Sequence, residues 1–245
     1  MYGLSYLFYP YGIILQAIAV VHFIRRRPDT YWLWIILIGG GLGALVYIVA
    51  EAIPDMNASG GGLKFFHRRR RIGELAALVR ENPSPGNYEE LGQLYLDDGK
   101  NRHAKEAYDH SITKRTDSPD PFYRRALAEI GLGEFPGARA DLEHVIAKDP
   151  IYDFQRAPGL LAHCLAKTGE PAAAERLFQD VLRTSTLTET QYNYAEFLSE
   201  QGRKEEAREL ANRILAKRGT MPGFLKRRER PIFRKTKMLL GRVPI

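Results

Sequence analysis

The chain has 245 residues, with 36 Lys and Arg against 29 Asp and Glu and a formal net charge of +7. This length is that of one or two domains, and 44% hydrophobic residues excludes disorder along the whole chain. The single cysteine, Cys164, excludes a disulfide framework and a cysteine-based zinc site. The charge is uneven, since residues 1–62 are neutral, 63–84 carry +4, 85–215 carry −6 and 216–245 carry +9. An acidic middle therefore lies between two basic flanks.

Residues 1–56 have the pattern of a two-helix membrane hairpin. No formally charged side chain occurs at 4–24 or at 31–50, and each run would span roughly 30 Å as a helix, the thickness of a bilayer core. We predict transmembrane helices at about 4–24 and 31–53. A cleaved signal peptide is the alternative for the first run, and a buried helix of a soluble domain is the alternative for the second.

The cations around these runs predict the membrane orientation. Three arginines lie in the short loop between the runs, and five cations, Lys64 and Arg68 to Arg71, follow the second run. By the positive-inside rule, both ends of the hairpin and the soluble part that follows are expected to be cytoplasmic. Residues 57–71 are predicted to form a linker that is first Gly-rich and then basic. The sequence thus predicts an integral membrane protein with two spanning helices.

The hairpin combines a basic loop with proline at 25–28, a Trp- and Ile-rich second run, a Gly-rich middle and an arginine cluster at 68–71. In these features it resembles the N-terminal membrane segment of cardiolipin synthases of the phospholipase D family. The catalytic motif of that family is H-x-K-x-x-x-x-D, and the nearest string, His103 to Asp109, is one residue too short and has no second copy. No P-loop, zinc-protease or serine-hydrolase motif occurs either. We therefore expect no enzyme activity, cofactor, metal ion or small-molecule substrate.

Self-similarity near 34 residues dominates the acidic middle. The first unit reads Y-x-x-L-G-x-x-Y from Tyr88, then Gly99, then A-x-x-x-Y from Ala104. This resembles the tetratricopeptide repeat, whose pattern is W-x-x-L-G-x-x-Y followed by A-x-x-x-F and P. The turn glycines of the four units, spaced 34, 36 and 33 residues apart, are Gly99, Gly133, Gly169 and Gly202.

The predicted fold is all-α, a transmembrane helical hairpin followed by a tetratricopeptide-like α-solenoid over residues 72–218. Repeats are expected near 85–118, 119–154, 155–187 and 188–218, after an N-terminal capping helix, with residues 151–155 as a loop between the second and third repeats. Small residues near the middle of the first and second helices would let the two helices of a repeat approach closely. Arg125 and Glu129 depart from the apolar pattern of the second repeat.

The resemblance implies a binding module whose concave groove is lined by the first helix of each repeat. By register, the groove residues are Glu89, Gln93, Tyr123, Leu127, Gly159, His163, Tyr192 and Glu196. These residues are mostly acidic, aromatic or small, so no basic clamp for a peptide carboxylate is predicted. They favour a peptide or helix with basic and apolar residues. The alternative is a solvated scaffold whose partner binds elsewhere.

Residues 219–245 form a basic tail. Cations near an anionic leaflet each contribute about 1 kcal/mol to membrane binding, so this tail and the cluster at 68–71 are expected to contact anionic lipids. The expected lipid contacts are Arg68, Arg69, Arg70, Arg71, Lys226, Arg227, Arg228, Arg230, Arg234, Lys235 and Lys237. A disordered, solubilising tail is the alternative.

The functional prediction is a membrane-anchored, non-enzymatic interaction module that recruits or scaffolds a protein or peptide partner at the membrane surface through its groove. One alternative is an accessory subunit of a lipid or envelope metabolism complex, which follows from the resemblance of the hairpin. Another is a membrane-attached nucleic-acid binder, which would use the basic tail. No recognition helix or stacking motif accompanies the tail cations, so membrane lipids are favoured over nucleic acid.

Overall fold

The computed structural model describes residues 3–26, 29–52 and 62–242. It divides into a first unit that extends to Gly73 and a second unit that begins at Glu74. All regular elements of the described residues are helices. Those of the first unit are α1 (Gly3–Arg26), α2 (Tyr31–Ile38), α3 (Gly40–Tyr47) and one turn of π-helix (Ile48–Ala52), and α4 (Gly62–Glu81) contains the boundary between the units.

The first unit has a small core around Tyr47, whose side chain is fully buried. The Tyr47 hydroxyl is 2.9 Å from His22 Nδ1, and its ring meets Trp32 edge-on with 5.4 Å between ring centroids. Gln16 Nε2 donates a hydrogen bond to the carbonyl oxygen of Ile36 at 2.8 Å. The polar residues that interrupt the first apolar run therefore bond to the second run.

The predicted localisation, an integral membrane protein with two spanning helices and a cytoplasmic soluble part, is wrong. The second apolar run is divided at Gly40, which has a left-handed backbone with φ of +57°. It forms two α-helices of eight residues, each about 12 Å long by helix geometry. The first run contains the polar residues Gln16 and His22. Across residues 3–26, 29–52 and 62–242, no helix combines the length and the apolar composition that crossing a bilayer requires.

The first unit nevertheless presents an apolar exterior. Large apolar side chains of α1, α2 and α3 are exposed, among them Ile38 at 81%, Leu42 at 73% and Ile24 at 66%.

Parts of the predicted connecting segments lie outside the described residues, namely Arg27 and Pro28 of the basic loop and residues 57–61 of the linker. The rest of the predicted linker differs from expectation, because 62–71 form the beginning of α4. Within this helix Arg68 is half-buried, and Arg69, Arg70 and Arg71 are exposed.

The second unit contains four pairs of helices, and the two helices of each pair are consecutive in the chain and pack against each other. This confirms the predicted all-α solenoid. Each pair is joined at the predicted glycine, and these glycines have φ between +72° and +84°, which non-glycine residues rarely adopt. The pairs are α5 (Pro85–Asp97) with α6 (Asn101–Ser111), α7 (Asp120–Leu132) with α8 (Phe135–Lys148), α9 (Tyr152–Lys167) with α10 (Pro171–Thr184), and α11 (Thr188–Glu200) with α12 (Lys204–Thr220).

Small residues lie where the two helices of a pair meet. A Cβ atom at Gly92 would be only 2.9 Å from the ring of Tyr108, so α5 can approach α6 only with glycine there. In the other three pairs the corresponding residues are fully buried alanines, which are Ala126 and Ala138, Ala162 and Ala174, and Ala195 and Ala207. This spacing between the paired helices determines how successive first helices are placed side by side.

The basic tail is helical as far as the structure describes it, so the alternative of a disordered tail is wrong for residues 223–242. It forms α13 (Gly223–Arg228) and α14 (Arg230–Arg242). Phe233, Thr236 and Leu239 of α14 are buried, and α14 packs against α11 and α12. The tail therefore covers the last helix pair with its apolar face and directs most of its cations to solvent.

The two polar residues that break the repeat pattern form an ion network between the first and second pairs. Arg125 donates from Nε and Nη2 to the two carboxylate oxygens of Asp141, both at 2.7 Å, and from Nη1 to Asp109 at 2.8 Å. Glu129 is buried 3.5 Å from Lys105 Nζ, and burial followed by the charge of Asp141 raises its pKa. Arg125 and Glu129 thus connect α6, α7 and α8.

Helix α9 begins with a left-handed turn. Asp153, Phe154 and Gln155 have φ of 50°, 52° and 68°, a backbone that costs L-residues about 1–2 kcal/mol each. Hydrogen bonds hold this turn, because the Tyr123 hydroxyl donates to Asp153 at 2.5 Å and the Thr184 hydroxyl donates to Gln155 at 2.8 Å. The turn presents the Phe154 ring to solvent at 89% exposure.

We expect Arg125→Leu to lower the free energy of unfolding by about 3 kcal/mol, because the buried Asp141 carboxylate loses its two-point partner. The double variant with Asp141→Leu removes the uncompensated charge and should recover most of this loss. Urea unfolding of both variants measures the difference. An equal loss in the single and double variants contradicts this account of the network.

We expect Phe154→Gly to be more stable than Phe154→Ala by about 1 kcal/mol. Both variants lose the same exposed ring, and only glycine adopts the left-handed backbone without strain. The larger backbone entropy of glycine in the unfolded state reduces this advantage but does not cancel it. Urea unfolding of the pair measures the difference, and an alanine variant as stable as the glycine variant would show that the turn is unstrained.

Candidate functional site

The first helices of the four pairs line an open cavity of about 640 Å3, named here the first-helix cavity. Side chains of α5, α7, α9 and the start of α11 line it. Its apolar lining is formed by Leu96, Leu127, Ile130 and Leu160. An opening of this size with apolar walls and several polar groups is the usual form of a ligand-binding site.

One polar network joins the lining residues of α5 and α7 to α9. Arg124 donates to Asp120 at 2.5 Å and also to the side-chain oxygen of Gln93. Gln93 in turn donates to Asp97 at 2.8 Å. The Tyr152 hydroxyl donates to the second oxygen of Asp120 at 2.8 Å. Asp120 is therefore held both from its own helix and from the following helix pair.

A second network joins α7, α9 and α11. Arg156 donates to Glu189 at 2.6 Å and to the hydroxyl oxygen of Tyr123 at 3.2 Å, and Tyr123 donates to Asp153. Burial raises the pKa of Tyr152 to about 12 and raises that of Tyr123 further. Both tyrosine hydroxyls therefore stay protonated at neutral pH and act as donors to the carboxylates.

Acidic groups exceed basic groups in the first-helix cavity. Its lining has four carboxylates, Asp97, Asp120, Asp153 and Glu189, against the guanidinium groups of Arg124 and Arg156. Partial burial and then the charge of Asp120 raise the pKa of nearby Glu89, while the charge of Arg124 opposes the rise. The cavity is thus suited to a ligand that carries positive charge.

Three of the predicted groove residues, Gln93, Tyr123 and Leu127, line this cavity. Glu89 lies close enough to feel the charge of Asp120 but is not among the lining residues. Gly159 is buried where α9 meets α11, since a Cβ atom there would be 2.4 Å from Thr190 Oγ1. His163 packs edge-on against Phe135, with 5.5 Å between ring centroids. The structure therefore brings only part of the predicted set together here.

The last two predicted groove residues line a separate cavity of about 290 Å3 beneath α14. The Tyr192 hydroxyl donates to Glu196 at 2.8 Å. Lys235 of α14 places its ammonium 5.8 Å from the centre of the Tyr192 ring, within reach of a cation–π contact. The chain's own basic helix thus lies over the end of the row of first helices.

Five important lining residues were missed by the sequence prediction: Asp120, Arg124, Tyr152, Asp153 and Arg156. The prediction assigned residues 151–155 to a loop outside the repeat register, so Tyr152 and Asp153 were not considered. The spacing of Asp120 and Arg124, four residues apart on one helix face, was the available signal for an ion pair at the start of α7.

Most cations of α13 and α14 are exposed. Lys226 donates to the carbonyl oxygen of Gly219 at 3.3 Å. In these two helices, seven exposed cations have no carboxylate within 4 Å among the described residues, namely Arg227, Arg228, Arg230, Arg234, Lys235, Lys237 and Arg242. In the helix pairs, exposed Arg102, Arg176 and Lys204 likewise have no carboxylate within 4 Å among the described residues, whereas eight other cations contact one, namely Lys105, Arg124, Arg125, Arg139, Lys148, Arg156, Lys167 and Arg203.

The described residues contain no group of three or more His, Cys, Asp or Glu side chains arranged to hold a metal ion.

A model of the tetratricopeptide repeat matches residues 123–187, which span most of the second and third helix pairs. No curated protein sequence matches this chain. This match lies within the helix pairs, and the comparisons give no support to the predicted resemblance of the first unit to cardiolipin synthases. The alternative function that depended on this resemblance, an accessory subunit of a lipid or envelope metabolism complex, has no support either.

Solved structures share the fold. YrrB, described as a tetratricopeptide repeat protein with an unusual peptide-binding site, is 17% identical with a TM-score of 0.52, and the match covers 62% of this chain and 79% of YrrB. The protein TTC0263 of Thermus thermophilus is 18% identical with a TM-score of 0.51, covering 72% of this chain and 93% of TTC0263. A tetratricopeptide repeat protein of Parabacteroides merdae is 16% identical with a TM-score of 0.50, covering 92% and 84%. The second unit is therefore a tetratricopeptide-like α-solenoid.

Proposed function

We propose that this chain is a non-catalytic interaction module that recruits a protein partner by binding one of its peptide segments in the first-helix cavity. The observation that carries the proposal is the lining of this cavity, which combines apolar residues of three first helices with an excess of carboxylates. The segment that fits it has basic residues beside apolar ones.

The polar networks support binding of a defined segment. Asp120 and Asp153 are each held by hydrogen bonds from a neighbouring helix pair, so their carboxylates are positioned before a partner arrives. Preorganised acceptors of this kind lose little conformational entropy on binding. Leu127 and Leu160 offer apolar contacts in the same cavity. YrrB, which shares the fold, is described as having a peptide-binding site. This description supports peptide binding as the proposed function of the solenoid.

We expect Asp120→Asn to weaken binding of basic peptides by about tenfold, because a charge-assisted hydrogen bond to a ligand contributes about 1.5–3 kcal/mol. The probe is a fluorescent peptide selected from a random library on the full chain and measured by fluorescence polarisation. The matched control is Asp117→Asn, which removes the same charge at a fully exposed residue outside the cavity.

Library selection that enriches no Lys or Arg contradicts the proposed chemistry of the partner. Equal affinities for Asp120→Asn and Asp117→Asn, with unchanged melting temperatures, contradict the proposed site.

A second candidate function is supported by the unpaired cations of the last two helices. We propose that Arg227, Arg228, Arg230, Arg234 and Lys237 contact an anionic lipid surface, since they are exposed and have no carboxylate partner among the described residues. Cations in this arrangement attract acidic headgroups over about a Debye length.

Replacing these five cations with Gln should abolish salt-sensitive binding to vesicles that contain phosphatidylglycerol, measured by co-sedimentation. The matched control replaces five paired cations, Lys100, Arg139, Lys148, Arg183 and Arg213. Equal loss in both variants would mean that net charge alone drives the binding. Tighter binding of wild type to duplex DNA than to vesicles would favour nucleic acid as the partner of these helices.

A further inference from the structure

A third cavity, of about 580 Å3, lies beside the exposed ring of Phe154 and is named here the Phe154 cavity. It is formed by the beginnings of α9 and α11 and by the junction of α13 with α14. It shares Asp153, Arg156 and Glu189 with the first-helix cavity. The two cavities therefore adjoin at these three residues.

The Phe154 cavity combines apolar walls with one unsatisfied acid. Phe154, Leu187 and Ile232 contribute its apolar lining. Glu229 also lines it, and the Oε2 atom of Glu229 is buried with no hydrogen-bond partner in the described residues. The other oxygen of this carboxylate, Oε1, is not buried in this way and has no hydrogen-bond partner among the described residues either, so a ligand can reach it with a donor. Hydrogen bonds to an ionised acceptor are stronger than those between neutral groups.

The cations near Glu229 do not already supply this donor. The ammonium of Lys217 donates instead to the Gln191 side chain at 2.7 Å and to the carbonyl oxygen of Thr186 at 3.2 Å. Arg156 is bound to Glu189 and Tyr123. Arg228 lines the cavity, but its side chain is exposed and makes no ion pair within the described part of the chain. The lining thus has three carboxylates and two guanidinium groups, and the charge of the nearby Lys217 ammonium balances them. Among the three carboxylates, that of Glu229 is the one without a hydrogen-bond partner in the described residues.

We propose that the Phe154 cavity is a subsite for an arginine side chain of the bound peptide. The guanidinium group donates to Glu229, and the methylene stem packs against Phe154 and Ile232. Arginine fits better than lysine because its planar group carries several donors and stacks on an aromatic ring. The inference rests on the proposed function, since it assigns a residue of the same peptide, and it makes Phe154 and Glu229 the residues that determine specificity.

The left-handed turn at Asp153 to Gln155 gives the subsite its shape. A helical or extended backbone at these three residues would place the Phe154 ring elsewhere, and hydrogen bonds to Asp153 and Gln155 hold the observed backbone. Strained segments held in this way are concentrated at binding sites. The ring remains largely exposed until a stem covers it.

The test uses two pools of fluorescent decapeptides with random flanks, one with arginine at the fifth position and one with citrulline, its neutral isostere. The full chain is titrated against each pool. Wild type is expected to prefer the arginine pool by about tenfold, as for a charge-assisted hydrogen bond. Glu229→Gln and Phe154→Ala should each reduce this preference to less than about threefold.

Two control variants match these changes. Phe224→Ala removes another exposed aromatic ring, at 70% exposure, outside the cavity. Glu209→Gln removes another carboxylate charge, at an exposed side chain paired with Arg213. Both controls should keep the wild-type preference. Melting temperatures identify a variant that does not fold. If one of Glu229→Gln and Phe154→Ala does not fold, the other variant tests the subsite.

Equal preference for arginine in wild type, Glu229→Gln and Phe154→Ala overturns the subsite and leaves the proposed function standing. Equal binding of the arginine and citrulline pools by wild type also overturns the subsite and leaves the proposed function standing. A wild-type chain that binds neither pool overturns the proposed function, and the arginine subsite with it.

Discussion

The close approach of two helices at small residues is the constraint on which the second unit depends. Gly92 has no room for a Cβ atom against Tyr108, and in the other three pairs both corresponding residues are fully buried alanines. A larger residue at any of these positions would separate the two helices of a pair. Because each pair covers the apolar face of its neighbour, such a separation would also displace the first helices that line the cavity.

The cavity follows from this stacking. Its hydrogen bonds join residues that are about one repeat apart in sequence, such as Tyr123 with Asp153, Tyr152 with Asp120, and Arg156 with Glu189. These contacts form only when consecutive first helices lie side by side in register. Each first helix packs through its small residues on one face, and this packing positions the carboxylates on a different face of the same helix.

The repeats and their turn glycines could be predicted because a left-handed turn and a small buried residue each leave a direct mark on the sequence. The Phe154 turn could not, since three non-glycine residues in a left-handed backbone carry no such mark and depend on tertiary hydrogen bonds. The division of the second apolar run at Gly40 was not predicted, because glycine in an apolar run also suits close helix packing. The ordered tail was missed because Phe233 and Leu239 lie among many cations.

Hydrogen–deuterium exchange of the full chain with its selected basic peptide tests the central claim that the first helices form the binding surface. The account predicts new protection in 120–131 and 152–160 and at the start of α11, which contribute the lining of the first-helix cavity. The second helices α8 and α10 should be unchanged. Protection confined to α8 and α10, with none in α7 and α9, would contradict it.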